Sequence, residues 1–437
     1  MATDIYKRPA ELLQRLIQFD TTNPPGNETA IIAFINQLLT DAGIPTQILA
    51  KDPARPNLIA RLRGRGDAPP LLLQGHVDVV TTEGQTWQHP PFAGKIVDNY
   101  IWGRGALDMK SGVTMMLAAV LRANAENIAL PGDIILVMLS DEEAGGNMGA
   151  KFLVEEHPEL FKGVKYAIGE FGGFTLHINN RRFYPIQVAE KQICWTRAIV
   201  RGPAGHGSMP IRGGAMAKLG DMLTKLNHRR LPVHITPIPR QMFQTMADEL
   251  GGMNGLLLRQ LLNPRLTDKI LDLLGERGRL FDPMLHNTAS PTILHGSDKI
   301  NVIPSEVIVE LDGRILPGQT PEDFIRELQH IVGPEVEFQV IRHDPGPPQP
   351  NMSWFDTLGN ILKQLDPEAI PLPLLQNGVT DARFFAKLGI QTYGFLPMKL
   401  PPDFNFGATI HAANERIPVE ALDFGTEAIF RAIQQTR

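Results

Sequence analysis

Along the first 180 residues, apolar positions switch repeatedly between helical and strand-like spacing. Leu12, Leu13, Leu16 and Ile17 fall on one helical stripe, which the turn Asn23-Pro24-Pro25-Gly26 brings to a stop. A second helix is expected from about Glu28 to Ala42, with Gly43 as its C-terminal cap. Short apolar runs follow at Leu58-Ile59-Ala60, Leu71-Leu72-Leu73, Ile134–Leu139 and Tyr166-Ala167-Ile168, and Ser111 to about Arg122 between them reads as helix. Strands alternating with helices predict an α/β layer fold with a mostly parallel sheet flanked by helices.

The pattern changes from about Lys191. Trp195 to Val200 reads as a strand, and Ala215, Leu219, Met222, Leu223 and Leu226 form a helical face. Val307, Val309 and Leu311 alternate with Glu310, Asp312 and Arg314, the mark of a half-buried strand. Thr320-Pro321-Glu322-Asp323 then opens a helix with a capping residue, a proline and two acids in its first turn, and Val336 to Val340 is a further strand. Such an order suits a smaller α+β domain. It ends at the linker-like His343-Asp344-Pro345-Gly346-Pro347-Pro348-Gln349-Pro350. Trp354 to Leu365 reads as helix and Gln391 to Leu396 as a strand rejoining the first layer. The expected division is therefore 1–190 with 346–437 as the main domain and 191–345 as an insertion. Within the insertion, the Leu- and Met-rich stretch 242–285 reads as helices, which pack or dimerise in preference to lining an acyl pocket.

Composition narrows the function classes. The 437 residues carry a formal net charge of -5, and basic residues gather only in pairs such as Arg181-Arg182, so nucleic acid is not an expected partner. Cys194 is the only cysteine, which excludes an internal disulfide and any thiolate metal site. The first residues show no leader pattern and no apolar run is long enough to span a bilayer, so the expectation is a cytoplasmic protein with no membrane partner.

The chemistry sits where apolar runs end. Leu71–Leu73 leads into His76-Val77-Asp78, Ile134–Leu139 into Asp141-Glu142-Glu143, and Tyr166–Ile168 into Glu170, while Asp108 closes Gly103-Arg104-Gly105-Ala106-Leu107-Asp108 just ahead of a helix. Taken singly, a His-x-Asp or a Glu-Glu pair is usually a solvated surface feature. Their repeated placement at strand ends is different, because ligands of open α/β sheets bind beyond those ends. Carboxylates crowded there repel one another, and a divalent cation is the usual remedy. Histidine and acids without cysteine suit zinc in a catalytic role. The glycines around Arg104 do not make a nucleotide loop, since Met109 precedes Lys110-Ser111 where such a loop needs glycine.

These segments, together with Gly205-His206-Gly207-Ser208 and His411 in Ala408-Thr409-Ile410-His411-Ala412-Ala413-Asn414-Glu415, resemble the co-catalytic zinc peptidase family. That family includes aminoacylase, acetylornithine deacetylase, succinyl-diaminopimelate desuccinylase and glutamate carboxypeptidase. Trp87 to Phe92 is most similar to the branch of carboxypeptidase S and N-acyl-amino-acid hydrolases. The resemblance implies two Zn2+ ions, with Co2+ or Mn2+ as substitutes, bridged by Asp108. His76 and Glu170 would complete one ligand set, and Glu143 and His411 the other. Glu170 departs from the common pattern in being followed by Phe171-Gly172-Gly173. Asp78 would orient His76, and Glu142 would be the general base acting on a metal-bridging water.

From the inserted domain, His206 would donate to the carbonyl oxygen across a homodimer, and Arg314 would grip a substrate carboxylate. Asn301 and the loop at Gly378 would contact substrate; on residue type alone Arg314 is a surface arginine and Gly378 an ordinary turn. The expected activity is hydrolysis of the amide bond of an N-acyl amino acid or small peptide. A biosynthetic deacylase of the desuccinylase or acetylornithine type, and a non-catalytic ligand-binding relative, are the alternatives.

Overall fold

A computed structural model of the chain describes residues 4–436. It divides into two compact units, one of Met1–Val188, Asn351–Leu374 and Thr380–Arg437, the other of Ala189–Pro350 with Leu375–Val379.

The first unit is built on a sheet whose strands run in the order Thr46–Ala50, Pro56–Leu62, Ile134–Leu139, Leu71–His76, Tyr166–Gly169, Gln391–Gly394, Arg181–Glu190, Ala369–Gln376. The four central strands, from Ile134–Leu139 to Gln391–Gly394, pair in parallel, and the flanking pairs on record are antiparallel. Leu71–His76 and Ile134–Leu139 are buried at every position, which is why they read as unbroken apolar runs instead of alternating ones. Leu72, Ile135 and Val137 pack with Phe152, Leu153, Phe161 and Phe385. The helix Lys110–Ala125 lies against Leu71–His76 and also packs on Pro9–Ile17 and Val419–Ile433, and its burial extends almost around its circumference. The fold is thus α/β with a parallel centre and flanking helices.

The second unit holds a four-stranded antiparallel sheet in the order Thr288–His295, Glu306–Ile315, Gln192–Arg201, Glu337–Asp344. Val307, Val309, Leu311 and Ile315 face inward, against the helices Ala215–His228 and Pro321–Val332. Thr320 caps the second of these helices reciprocally. Its hydroxyl accepts from the Asp323 N–H, while the Asp323 carboxylate accepts from the Thr320 N–H. The Met- and Leu-rich stretch forms four helices, Pro237–Leu250, Gly252–Gln260, Thr267–Leu274 and Glu276–Leu285, which bury Met242, Phe243, Met246 and Leu285 but leave Met253, Leu273 and Leu280 exposed.

Several elements go beyond the sequence reading: the strands Arg181–Glu190 and Ala369–Gln376 and the helix Val419–Ile433. The last inserted strand also continues through Asp344, so the proline-rich connection begins only at Pro345.

Gly149 shows how tightly the turn after Ile134–Leu139 is drawn, since a Cβ there would lie 1.9 Å from the Ser140 carbonyl oxygen. Gly149→Ala is expected to cost about 1–3 kcal/mol, as overpacking against rigid backbone does. A fall in the urea midpoint at unchanged slope is the readout, and an unchanged midpoint would show that the turn relaxes.

Candidate metal centre

The carboxyl ends of the central strands deliver the acidic and imidazole groups of the first unit to one place. His76 is the last residue of its strand, Glu170 follows Tyr166–Gly169 directly, and Asp141-Glu142-Glu143 follows Ile134–Leu139 after one serine. Asp141 has a left-handed backbone (φ 72°), which turns the chain sharply enough to present Glu142 and Glu143. Asp108 enters from the loop before the helix Lys110–Ala125, and its peptide bond to Met109 is cis. His411 comes from a loop 303 residues further on, also with a left-handed backbone (φ 59°).

Asp108 is the hinge of the cluster. Its Oδ1 lies 3.0 Å from His76 Nε2, and its Oδ2 lies 3.0 Å from His411 Nε2. Glu170 Oε2 is 3.2 Å from His76 Nε2, and Glu143 Oε1 is 3.4 Å from His411 Nε2. Two triads result, His76–Asp108–Glu170 and Asp108–Glu143–His411, each offering one ligand atom per residue within 4.8 Å of the others. Glu142 stands outside both, with Oε2 4.0 Å from His76 Nε2.

Support for these side chains is dense. His76 Nδ1 faces the Asp78 backbone carbonyl at 3.0 Å and the Asp78 carboxylate at 3.5 Å, so its proton sits on Nδ1 in the neutral form and Nε2 keeps a lone pair. The Asp78 carboxylate also accepts from the backbone N–H groups of Glu142 and Glu143 and from Asn23 Nδ2. Arg55 forms a buried two-pronged pair with Glu28 and reaches Asp141 as well. An apolar wall flanks Asp108 and Glu170, where Phe174 and Phe406 stack at 4.0 Å between ring centres and Phe171 meets both edge-on.

Electrostatics shows the strain of gathering these charges. Burial, reinforced by Glu170, pushes the Glu142 carboxyl well above its usual range. Burial and the Asp108 charge push Glu143 up to about 7. His411, bonded to Asp108 and Glu143, is raised to about 10. For His76, burial disfavours the charged ring, but Glu170, Asp108 and Asp78 together outweigh it and raise its pKa well above normal. Protons thus occupy positions where cations would serve. The donor set fits two divalent cations: the atoms are imidazole nitrogens and carboxylate oxygens, and one carboxylate is shared edge to edge.

The remaining sequence-derived residues, His206, Asn301, Arg314 and Gly378, belong to the second unit. His206 pairs with Val302 in a two-stranded ribbon, and Gly207 N–H donates to the Asn301 carbonyl at 2.8 Å. His206 Nδ1 lies 2.8 Å from the Ser208 hydroxyl oxygen and 3.2 Å from the Ser208 backbone nitrogen, so Nδ1 is engaged within its own loop. Arg314 uses Nε and Nη2 on Asp312, whose Oδ1 also accepts from Trp195 Nε1. Gly378 has a Gln376 side-chain nitrogen as the nearest neighbour to a Cβ position, at 3.7 Å, so space does not demand glycine there.

Sequence reasoning gave no role to Asn23, Glu28, Arg55 or Arg104, and reached Asp381 only as the end of the pocket-lining loop Gly378-Val379-Thr380-Asp381. Asp381 is fully buried beside the cluster, neither carboxylate oxygen has a hydrogen-bond donor, and burial with Glu170 pushes it up to about 7. Its sequence signal was its place in that loop, which leads into the short helix Ala382–Ala386.

With this geometry in view, comparison with known proteins is decisive. Residues 72–435 match the Peptidase family M20/M25/M40. The chain belongs to that family. It is accordingly a hydrolase of the amidohydrolase and peptidase type. The human N-fatty-acyl-amino acid synthase/hydrolase PM20D1 is 30% identical over 378 residues, spanning 84% of this chain and 74% of that protein. Aminoacylase-1 of Sus scrofa is 25% identical over 425 residues, spanning 93% of this chain and 89% of that protein. Among solved structures, an M20 family metallo-carboxypeptidase of Sulfolobus solfataricus shares the fold with a TM-score of 0.68 at 16% identity, over 98% of both chains. Among the described residues no helix is long and apolar enough to cross a membrane.

Cation binding at this cluster must displace the protons now shared there. The surrounding acids raise both imidazoles above their usual value, His411 to about 10, and each must be neutral to act as a ligand. Zn2+ loading of metal-free protein is therefore expected to release protons, and its apparent affinity to fall as pH drops below about 10, the value to which His411 is raised. Calorimetry in buffers of different ionisation enthalpy measures the release; uptake with no proton release would place the metal elsewhere.

Proposed function

We propose that this chain is a dinuclear zinc amidohydrolase that cleaves the amide bond of N-acyl amino acids or small peptides. The observation that carries the proposal is the Asp108 carboxylate, whose two oxygens face two different histidines, each in its own triad, with Glu142 left outside both. One cation would be held by His76, Asp108 and Glu170, the other by Asp108, Glu143 and His411. Bound there, a pair of Zn2+ ions supplies Lewis-acid activation of water and of the scissile carbonyl.

The protein's own groups account for the proton movements. Glu142 accepts a proton from water as the water oxygen adds to the carbonyl carbon. It returns that proton to the amide nitrogen as the C–N bond breaks, giving a carboxylic acid, which keeps the second water proton, and a free amine. A carboxyl raised by burial is suited to both steps, because it holds the proton between them and still gives it up. Asp78 fixes both sides of this chemistry, orienting the His76 ring and holding the backbone of Glu142 and Glu143.

His206 is the proposed donor to the developing oxyanion, delivered by the partner of a homodimer; the engagement of its Nδ1 with Ser208, which leaves Nε2 for substrate, supports that role. Arg314 is the proposed anchor of the substrate carboxylate through its Nη1 edge, with Asn301 and the Gly378 loop as further substrate contacts. The exposed edge strand Thr288–His295, which shows Ile293 and Leu294 at 48% and 57% exposure, supports pairing between copies of the second unit. The names of PM20D1 and aminoacylase-1 favour an N-acylated amino acid as substrate.

Glu142→Gln is expected to lower kcat by about 10²–10⁴-fold, the usual worth of a general acid–base, with zinc content unchanged. Steady-state assays on a panel of N-acyl amino acids, with metal analysis of the same samples, check this; an unimpaired variant overturns the assigned base. Chelation should abolish turnover and Zn2+ restore it. Light scattering should give a dimer that Leu294→Glu shifts towards monomer, and a fully active wild-type monomer would contradict the role of His206 between subunits.

A further inference from the structure

The loop carrying His411 has little regular structure to hold it, yet its imidazole must meet Asp108 across 303 residues of sequence. A single buried ion pair spans the two. Arg104 and Glu415 have side chains 1% and 0% exposed, and Arg104 Nη1 donates to Glu415 Oε2 at 2.6 Å. The other carboxylate oxygen, Glu415 Oε1, accepts from the backbone N–H groups of Leu107 and Asp108, at 2.7 and 3.2 Å. Arg104 in turn donates to the backbone carbonyls of His411 and Ala412, at 3.1 and 3.2 Å. Gln85 adds a second donor to the His411 carbonyl at 3.0 Å and accepts from Arg104 Nη2 at 2.7 Å.

The pair thus grips the backbone of Asp108 on one side and that of His411 on the other. It has no bond to His76, Glu143 or Glu170 among those described. A cost as large as burying a guanidinium and a carboxylate is more than packing asks for, because an apolar pair of similar volume would fill the space as well. Its particular product is a fixed separation between two backbone segments, each ending in a ligand of the same triad.

We propose that Arg104 and Glu415, with Gln85, are positioning residues that set the Asp108–His411 distance and thereby select for the cation of the Asp108–Glu143–His411 triad over that of the His76–Asp108–Glu170 triad. The proposal rests on the two-metal reading of the cluster. Asp108 belongs to both triads, but it is also anchored to the His76 side by the His76 ring itself. His411 has only the clamp and its contacts with Asp108 and Glu143. Loosening the clamp therefore acts mainly on one position.

The test is titration of metal-free wild type, Glu415→Gln and Gln85→Ala with Co2+, followed by calorimetry and by the visible absorption of the bound ion. Gln85 is only half-buried, so its variant keeps the test open if Glu415→Gln fails to fold. The expected result is two cations in wild type. In both variants the second cation should bind about 10–100-fold more weakly, the usual effect of removing an outer-shell partner, with the first unchanged. Its absorption should also change in the Glu415→Gln protein, because the His411 ring is no longer held at one angle. Wild type that takes up fewer than two cations overturns the two-metal reading and the clamp with it. Two cations in wild type, bound equally well or weakened equally at both positions in the variants, overturn the clamp alone and leave the pair a merely structural one.

Discussion

Mutual repulsion among buried carboxylates is the constraint around which the first unit is organised. Asp108, Glu142, Glu143 and Glu170 converge within a few ångströms, and Glu28, Asp78, Asp141, Asp381 and Glu415 lie buried around them. The protein treats the two groups differently. All the outer acids but Asp381 meet neutralising partners supplied by the chain: Glu28 and Asp141 face Arg55, Glu415 faces Arg104, and Asp78 accepts from an asparagine and two backbone N–H groups. The inner acids lie against two imidazoles, with the Arg383 charge acting on Glu170 besides. That imbalance is what makes the centre receptive to cations, since a buried acid that is not paired must otherwise take up a proton.

The same division explains what could be read from the sequence. Four groups of the cluster announce themselves because they follow strongly apolar strands: His76 after Leu71–Leu73, Glu142 and Glu143 after Ile134–Leu139, Glu170 after Tyr166–Ile168; Asp108 and His411 come from loops and carry no such mark. The four are neighbours in space because their strands are neighbours, so topology alone predicts their meeting. The outer partners carry no such mark. Arg55 reaches Asp141 across 86 residues and Arg104 reaches Glu415 across 311, and each looks in sequence like a solvated arginine. Only tertiary packing decides that both are buried.

Secondary structure was legible where one pattern dominated and obscure where a residue type disguised it. The strand Ala369–Gln376 contains Pro371 and Pro373, which argue against a central strand; it occurs at the end of the sheet, where a missing N–H goes unused. Pro185 disguises Arg181–Glu190 in the same way. In the second unit, strict alternation over Glu306–Ile315 and the reciprocal Thr320–Asp323 cap were plain, because both signals are local.

Unequal exposure of the two histidines has a kinetic corollary. The His76 ring is 1% exposed, whereas that of His411 is 46% exposed on a loop at the rim. On the proposed two-cation reading, an ion on the rim side would exchange with bulk solvent by a shorter route than one beside His76. The rim ion would then be the first to be replaced by a different metal supplied in solution, and the deep ion the last.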